Sequence, residues 1–399
     1  MVIPLLAQGQ VRRIGAAPLA GSPAAPDPLD LQEPANTCAT LSKGRLQNRC
    51  RGRLRNRRAA LVQTAWLERL VFGPTPVDDR LIQLWLGIFP VNWRQLTNPM
   101  LLLDQIAAIR SQLPNGFADL LGAMVNNAAL QISLDGLKSH RRKPNENLGR
   151  ELLELFSLGI GNYTEKDVIE AARALTGYRL QPDGSLALDP RRHDAGHKTI
   201  FGRTEPFDGP SLVAWLCQQP ATARHITGRV WERLVGPLPS LARITAIATA
   251  WQEQQLSLPW LMATLLATPE AAASIRNGTM VREPIDLVIA SLSLLGSRHR
   301  EAMAAAKSSL VRMGQGVFEP PSVKGWPVNQ EWLSLRWLQA RRRGLQALLA
   351  NEEVWASRAM AEELPASLTP IPLLSLSLPA PASRQSVALL FDDPVWQLK

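Results

Sequence analysis

Residues 144–177 read Pro-Asn-Glu-Asn-Leu-Gly-Arg-Glu-Leu-Leu-Glu-Leu-Phe-Ser-Leu-Gly-Ile-Gly-Asn-Tyr-Thr-Glu-Lys-Asp-Val-Ile-Glu-Ala-Ala-Arg-Ala-Leu-Thr-Gly. This pattern predicts two helices joined by a tight glycine turn. Asn145 is a typical N-cap, because its side-chain oxygen can accept a hydrogen bond from an amide in the first turn. Leucines at helical spacing predict a buried face, and Gly159 predicts the end of the first helix. Thr164 and Asp167 form a capping pattern for the second.

The first predicted helix carries polar side chains in two neighbouring rows. Glu146 and Arg150 are four residues apart and share one face, and Asn147 and Glu151 share the next. These residues could form a solvated surface, on which each pair contributes only about 0.3–0.5 kcal/mol. Alternatively, they could point into a cleft. The choice depends on a loop further along the chain.

Residues 179–209 are predicted to be irregular, with Leu186 and Leu188 in a short strand. A long loop inside a compact domain is often functional. Six ionisable side chains lie within residues 191–198 of this loop: Arg191, Arg192, His193, Asp194, His197 and Lys198. They are either surface groups or part of a functional cleft.

The two histidines of this loop suggest proton or ligand chemistry. His193 and His197 could bind an anion or a metal ion, and Asp194 could orient one imidazole. A metal ion would need a third ligand, such as Glu146 or Glu151. The metal is therefore left open, and no cofactor is predicted.

We hypothesise that residues 145–151 and 193–198 form one polar cleft that binds an anionic ligand. Arg150 and Lys198 would neutralise the ligand's charge, and a carboxylate–imidazole pair would move a proton. The predicted catalytic residues are Glu146, Arg150, His193 and Asp194. The predicted ligand-binding residues are Asn145, Asn147, Glu151, His197, Lys198, Lys324 and Trp326.

The last two of these residues belong to a second irregular segment, 312–327. Lys324 and Trp326 flank Gly325 there. Trp326 is either a core anchor or a flat platform for a ligand.

Apolar residues at helical spacing recur along most of the chain and predict a mostly α-helical, multi-helix globular domain with irregular functional loops and little or no sheet. We expect a poorly ordered Pro/Ala-rich and Arg-rich tail at 1–58, the helical domain at 59–350, and a peripheral Pro/Ser/Leu-rich segment at 351–399. The other predicted helices are 59–70, 79–89, 100–113, 117–133, 211–217, 221–235, 241–253, 256–267, 284–295 and 331–349.

The net charge of +10 is concentrated in one segment. Residues 43–58 contain eight Lys/Arg and no acidic residue, and removing these eight charges leaves +2 for the rest of the chain. The segment is either a solvated tail or a contact for an acidic partner. It has no aromatic side chain for base stacking, and nucleic-acid binding is not expected outside it. The basic loop 138–143 could bind an anion at the helix that follows.

Three cysteines, Cys38, Cys50 and Cys217, are an odd number without metal-ligand spacing. A disulfide framework and a structural zinc site are therefore not expected, and a single Cys38–Cys50 bridge is left open. No stretch of 18 apolar residues predicts a transmembrane helix. The first residues also lack the order of charge and apolar core that a signal peptide needs. The chain contains no GxSxG elbow, P-loop, GxGxxG or HExxH motif.

The opening stretch also carries a family resemblance. Its segments Asn-Glu-Asn-Leu-Gly-Arg-Glu-Leu-Leu-Glu-Leu, Tyr-Thr-Glu-Lys-Asp-Val and Ala-Arg-Ala-Leu-Thr-Gly-Tyr resemble the core of the bacterial domain-of-unknown-function 1800 family. Further matches follow in the family's order, at Asp189-Pro190, His193-Asp194, Lys198-Thr199, Gly202, Pro220-Ala221-Thr222-Ala223, Met313-Gly314-Gln315, Pro320-Pro321 and Val323-Lys324-Gly325-Trp326-Pro327. The resemblance spans about residues 66–343.

This resemblance implies a large, mostly helical bacterial protein without an established activity. Its relatives are often exported and often encoded beside a sulfatase-like protein, which suggests a neighbour of that kind. The missing signal peptide nevertheless favours the cytoplasm here.

The chain departs from the family pattern at two polar positions. Relatives tend to read Phe-Trp-x-Asn-His-Phe where this chain has apolar residues 84–89, and Leu-His-Thr where it has Leu155-Phe156-Ser157. Phenylalanine cannot transfer a proton or bind a metal ion. The alternative is therefore an inactive member, a non-catalytic scaffold or assembly protein that uses its basic segments for an acidic partner.

Overall fold

The computed structural model describes residues 26–296, 300–356 and 383–399, and confirms the mostly α-helical fold. These residues form seventeen α-helices and two small antiparallel sheets. The helices are α1 (Arg45–Phe72), α2 (Pro76–Ile88), α3 (Leu101–Gln112), α4 (Phe117–Val125), α5 (Ala128–Ser133), α6 (Glu146–Glu154), α7 (Glu165–Ala174), α8 (Gly209–Gln218), α9 (Pro220–Leu234), α10 (Leu241–Glu253), α11 (Leu258–Leu266), α12 (Pro269–Asn277), α13 (Pro284–Leu295), α14 (Arg300–Arg312), α15 (Leu335–Ala350), α16 (Glu352–Ala356) and α17 (Arg384–Asp392).

The predicted irregular loop contains both sheets. Strand β1 (Tyr178–Leu180) pairs with β2 (Leu186–Leu188), and β3 (Lys198–Ile200) pairs with β4 (Arg203–Glu205). The two hairpins satisfy main-chain groups that a structureless loop would leave to water. The loop is therefore more regular than predicted.

Helices α6 and α7 form the predicted hairpin. Asn145 accepts a hydrogen bond from the Asn147 amide at 3.0 Å, and Thr164 and Asp167 form a reciprocal capping box. Gly149 brings the two backbones together: a Cβ atom at this position would lie 3.0 Å from the Ala172 nitrogen. The hairpin thus depends on local caps and on one close backbone contact.

A continuous apolar core surrounds this hairpin. Six of the twelve tryptophans are less than 2% exposed, which shows that the skewed aromatic usage serves packing. Phe117 lies between Trp85 and Trp251, with ring centroids 6.0 and 5.9 Å away. Aromatic side chains bury large areas and prefer such tilted contacts.

The N-terminal boundary predicted at residue 58 falls inside α1. Arg58 is buried, and its guanidinium lies 2.5 Å from the carboxylate of Glu33. A Cys38–Cys50 disulfide ties the preceding turn to the helix. The basic run is therefore helical, and the Glu33 ion pair and the disulfide hold it against the preceding segment. Residues 1–25 of the predicted tail lie outside the described residues.

The C-terminal segment is likewise packed where it is described. Val387, Phe391 and Trp396 are buried, and the Arg282 amide donates to the Gln397 carbonyl at 2.8 Å. Apolar residues at helical spacing in α17 account for this burial. The remainder of the predicted peripheral segment, 357–382, lies outside the described residues.

Two helix predictions need correction. The predicted helix 117–133 is two helices, because Asn127 caps the second one with its side chain. Helices α12, α14, α16 and α17 were not predicted. No helix in the described ranges is long and apolar enough to cross a membrane.

Gly149→Ala should destabilise the protein by about 1–3 kcal/mol, because the new methyl group would overlap backbone atoms of α7. Alanine is otherwise the better helix former by about 1 kcal/mol. Gly122→Ala in α4 is the matched control, since its Cβ atom would meet nothing within 4 Å. Urea unfolding of both variants checks this. Equal stabilisation by both substitutions would contradict the close contact.

Candidate functional site

The predicted polar helix face is mainly a salt-bridged surface. Arg150 donates to both carboxylate oxygens of Glu165 at 2.8 Å and to Glu146 at 3.3 Å. The hydrogen bonds from Arg150 lower the pKa of the exposed Glu165 carboxyl. Side-chain amides of Asn145 and Asn147 donate to main-chain carbonyls of the preceding turn, at 3.0 and 3.2 Å. These contacts hold the start of α6.

The histidine loop is tied to the end of α7. Asp194 accepts from Arg173 at 2.8 Å and from the Gly196 amide at 2.9 Å. Burial alone would raise the pKa of Asp194, but these hydrogen bonds outweigh it and lower the pKa. The Nδ1 atom of His193 lies 2.9 Å from the Thr176 carbonyl oxygen. The Asp194 carboxylate and the His193 imidazole, predicted to act as a pair, therefore have different partners here.

Lys198 is a buried cation held by main-chain oxygens. Its ammonium donates to the carbonyls of Asp194 and Phe207, the latter at 2.6 Å. Burial lowers the pKa of Lys198, which the charge of Asp194 opposes. His197 is exposed, and its carbonyl accepts from Arg173. Lys198 thus stabilises the conformation of the loop through these two hydrogen bonds.

Ser139 hydrogen-bonds to the start of α6 and to the residue Gly177 that precedes β1. Its hydroxyl accepts from the Asn145 amide at 3.0 Å, and its carbonyl accepts from the Gly177 amide at 3.2 Å. Glu146 and His193 have no hydrogen bond to one another within the described residues. A cleft that joins the four predicted catalytic residues therefore stays a prediction.

Within residues 26–296, 300–356 and 383–399, no group of three or more His, Cys, Asp or Glu side chains could hold a metal ion. The predicted His193–His197 metal site with a helix carboxylate as third ligand is consequently not assembled there.

The second half of α6 meets the other predicted segment. The ammonium of Lys324 lies 4.0 Å from the Glu154 carboxylate, which also accepts from the Tyr163 hydroxyl at 2.6 Å. Burial and then the charge of Glu154 raise the pKa of Glu151. The loop that carries Lys324 thus comes within ion-pair distance of this side of α6.

Two residues further, Trp326 lines a cavity of about 90 Å³. We call it the Trp326 cavity. It opens between the ends of α2 and α9, the start of α13 and the Trp326 loop. Its lining residues are Arg80, Gln83, Leu84, Gly87, Arg233, Leu234, Leu266, Met280, Glu283, Ile285, Asp286, Trp326, Pro327 and Lys399.

Gly325 positions the loop that brings Trp326 into the lining of the cavity. Gly325 has φ +91°, and a Cβ atom there would lie 2.7 Å from the Gly87 carbonyl oxygen. Only glycine combines this backbone conformation with such a close approach. The loop therefore lies directly on the last turn of α2.

The cationic wall comes from α9, where His225, Arg229 and Arg233 repeat every four residues. Arg229 donates to the Leu155 carbonyl at 2.8 Å, and His225 lies 3.3 Å from the same oxygen at the end of α6. Arg233 donates to the Arg229 carbonyl at 3.0 Å. Burial lowers the pKa of Arg229 to about 9, so its guanidinium stays charged at neutral pH.

Arg233 is the member of this row that reaches the cavity. Among the described residues its one hydrogen bond goes to the Arg229 carbonyl. Burial lowers its pKa, and the charges of Glu283, Glu232 and Glu331 oppose this without ion-pair contact. The C-terminal ends of α2 and α9 carry partial negative charge, which favours the charged form of Arg233.

The acidic wall comes from the start of α13. Glu283 accepts from the Gln315 side chain at 2.6 Å, and Gln315 accepts from the Ile285 amide at 2.8 Å. Asp286 accepts from Arg80 at 2.8 Å and from Lys399. Burial would raise the pKa of Asp286, but Lys399 and Arg80 outweigh it and hold this pKa well below its usual range.

Sequence reasoning found Trp326 but missed the charged walls, because their residues are far apart in the chain. Gln315, in the Met-Gly-Gln segment of the family pattern, was the available signal. Gly87 and Phe156 are positions where the chain departs from that pattern. Gly87 lines the cavity, whereas Phe156 is a core residue 5.1 Å from the Phe89 ring.

The protein should lose stability in mild acid through His225. Burial, and then the charge of Arg229, lowers the pKa of this histidine to about 4 from an unfolded value of 6.5. Because the unfolded chain takes up the proton first, the free energy of unfolding should fall between about pH 6.5 and 4, by up to about 3 kcal/mol. Above pH 6.5 this contribution does not change.

Urea unfolding as a function of pH, on wild type and His225→Gln, measures this loss. The variant can still donate to the Leu155 carbonyl, and its stability should fall less over the same range. His197→Gln removes an exposed histidine and should keep the wild-type loss. Parallel curves for wild type and His225→Gln would refute the assignment.

The comparisons with known proteins place the chain in one family. The family model described as "Protein of unknown function (DUF1800)" matches residues 7–398, nearly the whole chain. No curated protein and no solved structure matches it. The match confirms the resemblance seen in the sequence and extends it to both ends, so the chain belongs to the DUF1800 family.

Proposed function

We propose that this protein binds a small anionic ligand in the Trp326 cavity. The observation that carries the proposal is Arg233: its guanidinium lines the cavity and is hydrogen-bonded there to a neutral carbonyl. A carbonyl accepts a hydrogen bond but does not neutralise a charge. An anion in the cavity would supply the missing negative charge.

The remaining charges of the cavity support this choice. Three cations and two carboxylates line it, which leaves one positive charge in excess. Arg80 and Lys399 share one carboxylate, that of Asp286. Their two positive charges are therefore matched by a single negative charge. Inside a protein such interactions are stronger than in water, and guanidinium groups bind carboxylates and phosphates with paired hydrogen bonds.

Trp326 and the aliphatic residues around it favour a ligand with some apolar surface. Ligand sites commonly combine an apolar lining with a few polar groups that fix orientation. The cleft predicted between residues 145–151 and 193–198 has less support, because Arg150 and Asp194 already have ionic partners. We therefore locate the anion site at Trp326, one of the predicted ligand-binding residues.

Arg233→Gln should abolish stabilisation by anions. For wild type, sodium acetate and sodium phosphate at 100 times their dissociation constants should raise the free energy of unfolding by about 2.7 kcal/mol. Arg224→Gln on the same helix is the control, since Arg224 does not line the cavity and the variant should respond like wild type. Thermal unfolding against ligand concentration, with sodium chloride to match ionic strength, measures the effect.

Circular dichroism must show that Arg233→Gln is folded. Equal stabilisation of the two variants by acetate and phosphate would refute the cavity as the anion site. The absence of any stabilisation of wild type by either ion would refute anion binding there altogether.

A second candidate function is docking of an acidic protein on α1. Arg45, Arg49, Arg53 and Arg57 repeat every four residues and are exposed. The helical rise spaces them about 6 Å apart in one row. The anchored turn beneath them makes this row a fixed surface, as the scaffold alternative requires.

Replacing these four arginines with glutamine should remove binding to poly-L-glutamate, chosen as an acidic-protein probe. Wild-type affinity should fall as salt is raised, because the contacts are exposed ion pairs. Fluorescence anisotropy at several salt concentrations measures both effects. Undiminished binding by the variant would exclude this surface.

A further inference from the structure

We propose that the ligand of the Trp326 cavity is zwitterionic, with a carboxylate that faces Arg233 and an ammonium group that faces Glu283. This inference rests on the proposed anion site and adds the second charge of the ligand. It follows from which charges in the cavity are paired and which are not.

The Asp286 carboxylate is already occupied by hydrogen bonds from the protein itself. It accepts from Arg80, from Lys399 and from the Glu283 amide. These contacts leave Arg233 and Glu283 as the charged side chains of the cavity without an ion-pair partner among the described residues. One positive and one negative group therefore remain to be matched.

Arg233 and Glu283 attract each other but do not touch. Glu283 is the largest favourable charge on Arg233, yet no nitrogen–oxygen distance between them is within 4.0 Å. Arg233 and Glu283 thus line the same cavity without a salt bridge between them.

Both side chains are in fact held. The Gln315 amide fixes one oxygen of Glu283, and Gln315 is itself buried and fixed by the Ile285 amide. On the other side, the Arg229 carbonyl holds Arg233 at 3.0 Å. Among the described residues, the second Glu283 oxygen and the other Arg233 nitrogens have no hydrogen-bond partner. Such preorganisation lowers the entropic cost of binding.

A zwitterion fits this pair better than a single charge does. A plain anion would leave Glu283 unmatched and close to a like charge, and a plain cation would do the same at Arg233. Uncompensated charges in a partly buried site are costly. A molecule with both groups satisfies both walls and places its carbon chain against Trp326.

The cavity volume limits the part of the ligand that is enclosed. The cavity of about 90 Å³ is several times the space of roughly 10–15 Å³ that one buried water molecule needs. That space accommodates a short amino acid, or the amino-acid end of a larger molecule whose remainder extends into solvent.

Three probes of equal chain length separate the contributions: β-alanine carries both charges, propionate the carboxylate alone, and propylamine the amine alone. For the wild-type protein we expect β-alanine to bind at least tenfold more tightly than propionate, and propylamine not to bind. Isothermal titration or saturation-transfer NMR measures the dissociation constants. The comparison needs no variant and so does not depend on whether a variant folds.

Glu283→Gln should remove the advantage of β-alanine, and it should tighten rather than weaken propionate binding, because it removes a like charge from beside the carboxylate. Glutamine keeps an oxygen that can accept the hydrogen bond from Gln315, so the acidic wall should keep its structure. Glu253→Gln, on the exposed side of α10, is the matched control and should behave like wild type. Arg233→Gln should weaken both β-alanine and propionate.

The outcomes distinguish the two proposals. If propionate binds through Arg233 and β-alanine binds no more tightly, the zwitterion inference is overturned and the anion site stands. A tenfold preference that persists in Glu283→Gln also overturns the inference. If neither β-alanine nor propionate binds wild type, the anion site itself is overturned.

Discussion

Main-chain carbonyl oxygens, and not carboxylates, hold three of the cations of this protein, and the candidate site depends on this arrangement at Arg233. Lys198, Arg229 and Arg233 all donate to carbonyls rather than to carboxylates. A carbonyl relieves the hydrogen-bonding cost of burial but leaves the charge in place. The interior therefore keeps positive charge, in a chain whose excess basicity lies mostly in an exposed helix.

The same contacts connect the α6–α7 hairpin to the cavity. The last carbonyl of α6, at Leu155, accepts from Arg229, and Arg233 follows one turn later on α9. The outer face of α6 carries Glu154, which faces Lys324 on the loop that bears Trp326. Two separate sets of contacts thus connect the α6–α7 hairpin to Arg233 and to the loop that carries Trp326.

The sequence predicted what local interactions determine. Caps at Asn145 and Thr164, helical spacing of leucines and glycine stops all act within a few residues, and they correctly gave the hairpin and the fold class. Trp326 could be singled out because Gly325 marks an unusual backbone. Arg233 and Glu283 could not, since an arginine in an amphipathic helix looks like a surface residue until its surroundings are known. The anchored basic helix was missed for a similar reason: Arg58 reads as part of a solvated run, yet its partner is Glu33.

If the cavity beside Arg233 binds anions, an oxyanion should be found there in a crystal. Crystals soaked in sodium selenate test this, because selenium scatters X-rays anomalously and marks where a bound oxyanion lies. We expect an anomalous peak within the Trp326 cavity, in hydrogen-bonding contact with the Arg233 guanidinium. Peaks confined to the exposed arginines of α1, with none in the cavity, would contradict it.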